Sequence, residues 1–153
     1  IRDTERSRGL GDVYKRQMQM TVTLAADGDG DEAGIAVMGH DYSALALHRG
    51  AAGNELVLYR GKVTARTAEG VAEEEGVLRL PFAGDTVTLR LYFEDGGTVH
   101  YAYELNGQET LLDGSFPAAK STWSGAKPAL FARNTANRAG GQGRFGAVSF
   151  ECL

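Results

Sequence analysis

Cysteine is almost absent: Cys152 is the one thiol in 153 residues, so no internal disulfide can form and stability must come from a packed core. Proline is scarce, at 3, while glycine reaches 21, a balance that suits many tight turns joining short strands. Long apolar runs are missing. None approaches the roughly 18 residues of a membrane-spanning helix. No apolar stretch follows a basic start, so no secretory leader is expected and the expected compartment is the cytoplasm. Net charge is −4, with acidic residues scattered along the chain. No basic stripe offers itself to a phosphate backbone, so neither nucleic acid nor a membrane is an expected partner. Against these absences, 42% of residues are hydrophobic. That is too many for a disordered chain, and the length suits one domain with a two-sheet core.

Residues 1–17 (IRDTERSRGLGDVYKRQ) share neither the alternation nor the composition of residues 18–153. Residues 12–17 read back as codons of a sequencing-library adapter end. The expectation is that 1–17 is translated adapter or linker, set aside before fold reasoning, and that the domain occupies 18–153.

From Met18 onward the pattern has period 2, with Met18, Met20, Val22 and Leu24 alternating with polar neighbours. Strands are expected over residues 35–38 and 42–49 around the turn 39–41, then over 55–60. The clearest is 86–94, where Val87, Leu89, Leu91 and Phe93 face one way and Thr88, Arg90 and Tyr92 the other. A turn at Asp95-Gly96-Gly97 leads into 98–104, and Asn106-Gly107 leads into 108–112; Asn-Gly between alternating runs signals a hairpin because both positions take positive φ. Residues 127–133 and 144–152 close the series, with Pro128 expected on a sheet edge because it cannot donate to a ladder. No helical period and no internal repeat is visible. Spaced strands with turn signals point to an all-β, antiparallel two-sheet sandwich.

Several constellations invite chemistry and fail on their spacing. Residues 27–32 (DGDGDE) begin like a calcium loop, but Glu32 stands where Gly is required and Met38 where the closing Glu is required. A solvated hairpin loop is expected instead. Residues 141–146 (GQGRFG) match a dinucleotide fingerprint literally, yet a strand follows where a helix is needed. His40, His48 and His100 lack helical metal-ligand spacing, although His40 and His48 could meet across one hairpin; exposed strand or turn histidines are expected. Glu73, Glu74 and Glu75 read as a solvated loop run with nothing fixing a catalytic carboxylate pair. Serine and cysteine have no elbow or base context. No catalytic residue, metal ligand or cofactor is expected in this chain.

Trp123 is the only tryptophan and sits among Ser121, Thr122, Ser124 and Gly125. A core tryptophan normally lies within an apolar strand. One in a Ser/Gly loop is placed to project, with an aromatic face suited to sugar C–H groups, although folding back over its own sheet is an equal reading of the residues alone.

Four phrases, in order, carry a resemblance: GHDYSALALHR (39–49), VTLRLYF (87–93), YAYELNG (101–107) and WSGAKPALF (123–131). Together they resemble the concanavalin-A-like C-terminal sandwich of family-43 glycoside hydrolases, the β-xylosidases and α-L-arabinofuranosidases, over nearly all of 21–151. The resemblance implies a jelly-roll sandwich lacking its first strand, hence an exposed sheet edge. It also implies an upstream five-bladed propeller that holds the catalytic carboxylates. Trp123 matches the aromatic that reaches the rim of the propeller's pocket, so Ser121, Thr122, Trp123, Ser124 and Gly125 form the expected oligosaccharide-binding loop. Family members usually end in Asp-Phe-Asp, where this chain has Gly146, Ala147 and Val148. An independent carbohydrate-binding module or lectin is the rival reading, with Tyr92, Tyr101 and Tyr103 as candidate platform residues. A structural or homo-oligomerising domain is a third.

Overall fold

The computed structural model describes residues 14–63, 72–118 and 126–152. Among these the regular elements are all strands: β1 Tyr14–Ala25, β2 Asp31–Met38, β3 Asp41–Gly50, β4 Gly53–Val63, β5 Ala72–Pro81, β6 Thr86–Glu94, β7 Thr98–Leu105, β8 Gln108–Leu111, β9 Phe116–Pro117, β10 Lys127–Asn134 and β11 Gln142–Cys152. They form two antiparallel sheets. Sheet A runs β11-β1-β6-β7-β8, with β9 also on β7, and sheet B runs β10-β2-β3-β4-β5. This is the expected two-sheet sandwich.

The core is built by the period-2 rule. Met18, Met20, Val22 and Leu24 of β1 and Val87, Leu89 and Leu91 of β6 meet Ile35, Val37, Leu45, Leu47, Leu56 and Leu58 of sheet B in one buried cluster. Phe93 is half-buried at the end of that row, and Thr88 and Arg90 lie on the opposite face, as expected. Tyr92 shares their face yet is buried, because Tyr14 stacks on it with ring centroids 5.0 Å apart. The Asn106-Gly107 hairpin has positive φ at both positions, 54° and 77°. Pro128 lies on β10, an edge strand whose neighbour is β2.

Three expectations need correction. Glu73, Glu74 and Glu75 are not in a loop but in β5, opposite Lys62, Gly61 and Arg60 of β4. Residues 27–30 do form a loop, but Asp31 and Glu32 start β2 and are buried. His48 is buried on β3, whereas His40 sits exposed in the β2–β3 turn, so the two do not meet. β1 lies between β11 and β6, and the sheet edges are β11 and β8 in sheet A, β10 and β5 in sheet B. Tyr14–Gln17, set apart by composition, extend β1. Their pairing belongs to the chain as it stands, whatever their origin.

Antiparallel order sorts the connections into two ends. The start of β1, the β2–β3 turn, the finish of β4, the start of β5, β9, the start of β10 and the finish of β11 lie at one end. The loops 26–30, 51–52, 82–85, 106–107 and 135–141 lie at the other.

Candidate functional site: a cleft at one end of the sandwich and a bridged sheet face

Ser121, Thr122, Trp123, Ser124 and Gly125 lie outside the described residues. Their anchors do not. On the N-terminal side, Phe116 and Pro117 pair with Val99 and Thr98, and Ala118 N–H donates to the Gly97 carbonyl at 2.6 Å. On the C-terminal side Lys127 pairs with Met38 at the end of β2. Both anchors stand at the end of the sandwich where β1 starts.

A cleft of about 530 Å³ opens there, lined by Asp41, Tyr42, Arg60, Lys62, Glu74 and Phe116 among others. Tyr42 can lie along it because Gly61 stands opposite; a Cβ on Gly61 would collide with the tyrosine ring. Glu74 accepts from the Tyr42 hydroxyl at 2.9 Å, and Glu75 pairs with Arg60 at 2.8 Å. Burial, helped by the Glu74 contact, pushes the Tyr42 phenol up to about 12, so it stays a hydroxyl donor near neutral pH. The cleft thus combines an apolar wall with fixed donors and carboxylates, the equipment for binding a polyol.

The outward face of sheet B continues from this cleft and is unusual. Ala36, Ala44, Ala46 and Val57 form its floor and are buried although they point away from the sandwich core. Their cover is a polar web. Arg133 of β10 donates through Nε to Glu32 Oε2 at 2.6 Å and through NH2 to Glu74 Oε2 at 2.7 Å. It also lies 5.0 Å over the Tyr59 ring and 5.7 Å over the Phe131 ring. Since β10 and β5 are the two edges of sheet B, a flat sheet would hold them about 19 Å apart. The bridge therefore requires a sharply curled sheet, and the small floor residues give it room to close.

Glu32 is the centre of the web. Its Oε1 accepts from Tyr59 OH at 2.5 Å and from His48 Nδ1 at 2.6 Å. Burial alone would push its carboxyl up, but the three hydrogen bonds from His48, Tyr59 and Arg133 outweigh that and hold it below the usual range. Burial and the Glu32 contact push the Tyr59 phenol well above the ordinary tyrosine value. Arg133 is pushed up because its two carboxylate partners outweigh its desolvation.

At the opposite end Asp31 closes the 27–30 loop, accepting from the backbone N–H of Asp27 at 2.8 Å and Gly28 at 3.2 Å, and from Asn134 at 2.8 Å. The Asn134 contact leads in holding its carboxyl low. These acidic residues tie loops together; among the described residues no group of three potential ligands is arranged to hold a metal ion. His100 is half-buried, bonded to Glu94 at 3.1 Å beside Tyr14. None of the web was foreseen from sequence. The one available signal was a Glu and a His at the start and finish of facing strands, which specifies no third partner.

Comparison with known proteins now places this geometry. Residues 13–151 match the family model described as beta xylosidase C-terminal concanavalin A-like domain. A comparison with curated proteins finds no match. Among solved structures, an engineered GH43 glycoside hydrolase described as having both endo-xylanase and exo-arabinofuranosidase activity is 15% identical, with a TM-score of 0.73 over 91% of this chain and 29% of its own. The GH43 protein BlXynB from Bacillus licheniformis is 11% identical, with a TM-score of 0.71 over 92% of this chain and 28% of its own. The xylan beta-1,4-xylosidase from Bacillus halodurans C-125 is 12% identical, with a TM-score of 0.69 over 90% and 28%. At these identities the structures speak to the fold, and this chain spans under a third of each. The family match covers nearly all of the described strands, and on that ground the chain belongs to the concanavalin A-like C-terminal domain family of GH43 β-xylosidases.

Proposed function

We propose that this chain is the non-catalytic C-terminal domain of a family-43 glycosidase that hydrolyses xylo- or arabino-oligosaccharides in an upstream propeller domain. In this reading the sandwich supports that domain and lends Trp123 to the rim of its active site. The observation that carries it is the family match over 13–151 in a chain covering 28–29% of much longer GH43 structures. The cleft beside both anchors of the Trp123 segment supports the rim role, since it sets the part-exposed Tyr42 where a sugar held by a neighbouring domain could meet it. The carboxylates Glu74 and Glu75 in that cleft are engaged by Arg133 and Arg60 and do not form a free acid–base pair of the kind glycoside hydrolysis uses.

A self-contained carbohydrate-binding module fits less well. Tyr101 and Tyr103 turn inward with Leu91 and Leu89, and Tyr92 is buried under Tyr14. The three tyrosines do not share an open face. The test is an assay of the purified chain against aryl-xylosides and aryl-arabinosides. No turnover is expected, and turnover that disappears on replacing one acidic residue of this chain would overturn the accessory role.

A further inference from the structure

One carboxylate belongs to two structures at once. Glu74 Oε1 accepts from the Tyr42 hydroxyl at 2.9 Å in the cleft and from Arg133 NH1 at 3.2 Å, while its Oε2 accepts from Arg133 NH2 at 2.7 Å. The Tyr42 ring crosses the bare backbone of Gly61 on β4 to reach Glu74 on β5. The position of β5 therefore decides where the hydroxyl ends. β5 is an edge strand with a bulge: Tyr59 stands opposite Gly76 and Leu58 opposite Leu78, which leaves Val77 as an extra residue. A bulge bends its strand and strengthens the local twist, so residues 72–76 form an arm set at an angle to the rest of β5. Arg60 ties this arm at Glu75, but the two side chains are 59% and 62% exposed, and such a pair holds little. Arg133 ties it at Glu74 far more firmly. Its fork is bidentate on a carboxylate only 22% exposed, its Nε is braced by the buried Glu32, and it lies over the rings of Tyr59 and Phe131.

We infer that Arg133 is a positioning residue for the cleft: a strap from β10 that draws the β5 arm inward and so holds Glu74 and Tyr42 where the tyrosine oxygen faces an arriving sugar. Its use rests on the reading that a sugar meets this cleft. The hydrogen-bond inventory then says which part of the sugar is met. Tyr42 gives its one proton to Glu74, so its oxygen is left to accept, and a sugar hydroxyl must donate to it. A phenol bonded to a carboxylate that is itself held by a guanidinium is polarised, which strengthens that oxygen as an acceptor. Asp41, Glu73 and Glu74 on the same walls repel an acidic ligand. The strap thus favours a neutral sugar over one that carries a carboxylate. Only arginine suits the place. Nε engages Glu32 while NH1 and NH2 engage Glu74, and the point charge of a lysine cannot span both. Glu32 in turn is fixed by Tyr59 and His48, so the far end of the strap is anchored on β2, β3 and β4.

The placement of Tyr42 is read in this chain by nitration with tetranitromethane, which attacks the phenolate, followed by peptide mass mapping. Burial and the Glu74 contact push the Tyr42 phenol up to about 12, and the Arg133 charge by itself pulls it down. The strap and a purely electrostatic role therefore give opposite signs for Arg133→Gln. Loss of a strap frees the arm, Tyr42 leaves Glu74, and its phenol returns towards the ordinary value of about 10. Nitration of Tyr42 should then rise at least about tenfold, since each pH unit of that fall gives about ten times more phenolate. Loss of a charge alone leaves burial and Glu74 in place, so unchanged or slower nitration overturns the inference. Arg133→Lys keeps the charge without the fork and should also speed nitration; protection equal to that of the arginine chain overturns it too. Tyr101, sealed at 0% exposure, reports unfolding and should stay unreactive in both variants. If it reacts in step with Tyr42, the bridge serves general stability and the strap is ruled out. The sugar is read separately, in the parent enzyme recovered from the gene. There Tyr42→Phe should raise KM for a xylo-oligosaccharide by about fivefold, the worth of one hydrogen bond. An unchanged KM removes the sugar from this cleft and the use of the strap with it. A raised KM with no gain in nitration removes the strap and leaves the functional reading standing.

Discussion

At the residue scale, Glu32 shows why a buried charge can be kept on an outward sheet face. Both its oxygens are engaged, by Tyr59, His48 and Arg133, so its desolvation is offset. Removing one partner should cost far more than a surface pair would. Arg133→Ala is expected to destabilise the chain by about 3 kcal/mol, towards the lower limit for breaking a buried pair because Arg133 is partly exposed; urea unfolding measures it. The pH dependence has a definite sign. Glu32 and Asp31 are both held below their ordinary range, so their contribution is present above about pH 4 and is lost as pH falls through the depressed folded values. Stability measured from pH 6 down to pH 2 should therefore decline below about pH 4, and Arg133→Ala should flatten that decline. Trp123 is tested in the parent protein. Trp123→Ala should lower kcat/KM on an oligosaccharide by about tenfold or more if it positions substrate, with the melting temperature unchanged. A loss of about 3–5 kcal/mol in stability with normal turnover would make it packing instead.

At the scale of elements, legibility followed the strength of the local pattern. β6 was readable because Val87, Leu89 and Leu91 alternate without exception into the core, and the β7–β8 hairpin because Asn106-Gly107 leaves few other conformations. Gly107→Ala should cost about 1–2 kcal/mol in urea unfolding, since its φ of 77° is unfavourable for any residue with a Cβ. β5 was missed for a physical reason. Glu73, Glu74 and Glu75 sit at an edge where both side-chain directions meet solvent, and the register with β4 shifts between Leu58 and Tyr59. Alternation has nothing to record there. The polar web was illegible because its members come from all five strands of sheet B: Arg133 and Glu32 are 101 residues apart, and spacing along the chain carries no trace of such a meeting.

At the scale of the whole molecule, the family resemblance read from four phrases and the family match over 13–151 agree, while the residues of the tryptophan loop lie outside those described. The foreign origin suggested for residues 1–17 is a question for the gene. A genomic contig across the junction is expected to diverge from IRDTERSRGLGDVYKRQ upstream of Met18 and to continue into the parent reading frame; a native codon run through Ile1 would end that proposal.

β1 is the inner neighbour of β11, so the first described strand waits for the last. On the ribosome this means that sheet A cannot be completed while the chain is still being made. Met18, Met20, Val22 and Leu24 are synthesised early, yet one flank of their strand stays open until residues 142–152 have left the exit tunnel. During that interval an unpaired, apolar strand is available to any other chain, the condition that favours misassembly in slow, non-local β folds. The domain should therefore depend on holding chaperones more heavily during its synthesis than during refolding from denaturant, where both partners are present from the start.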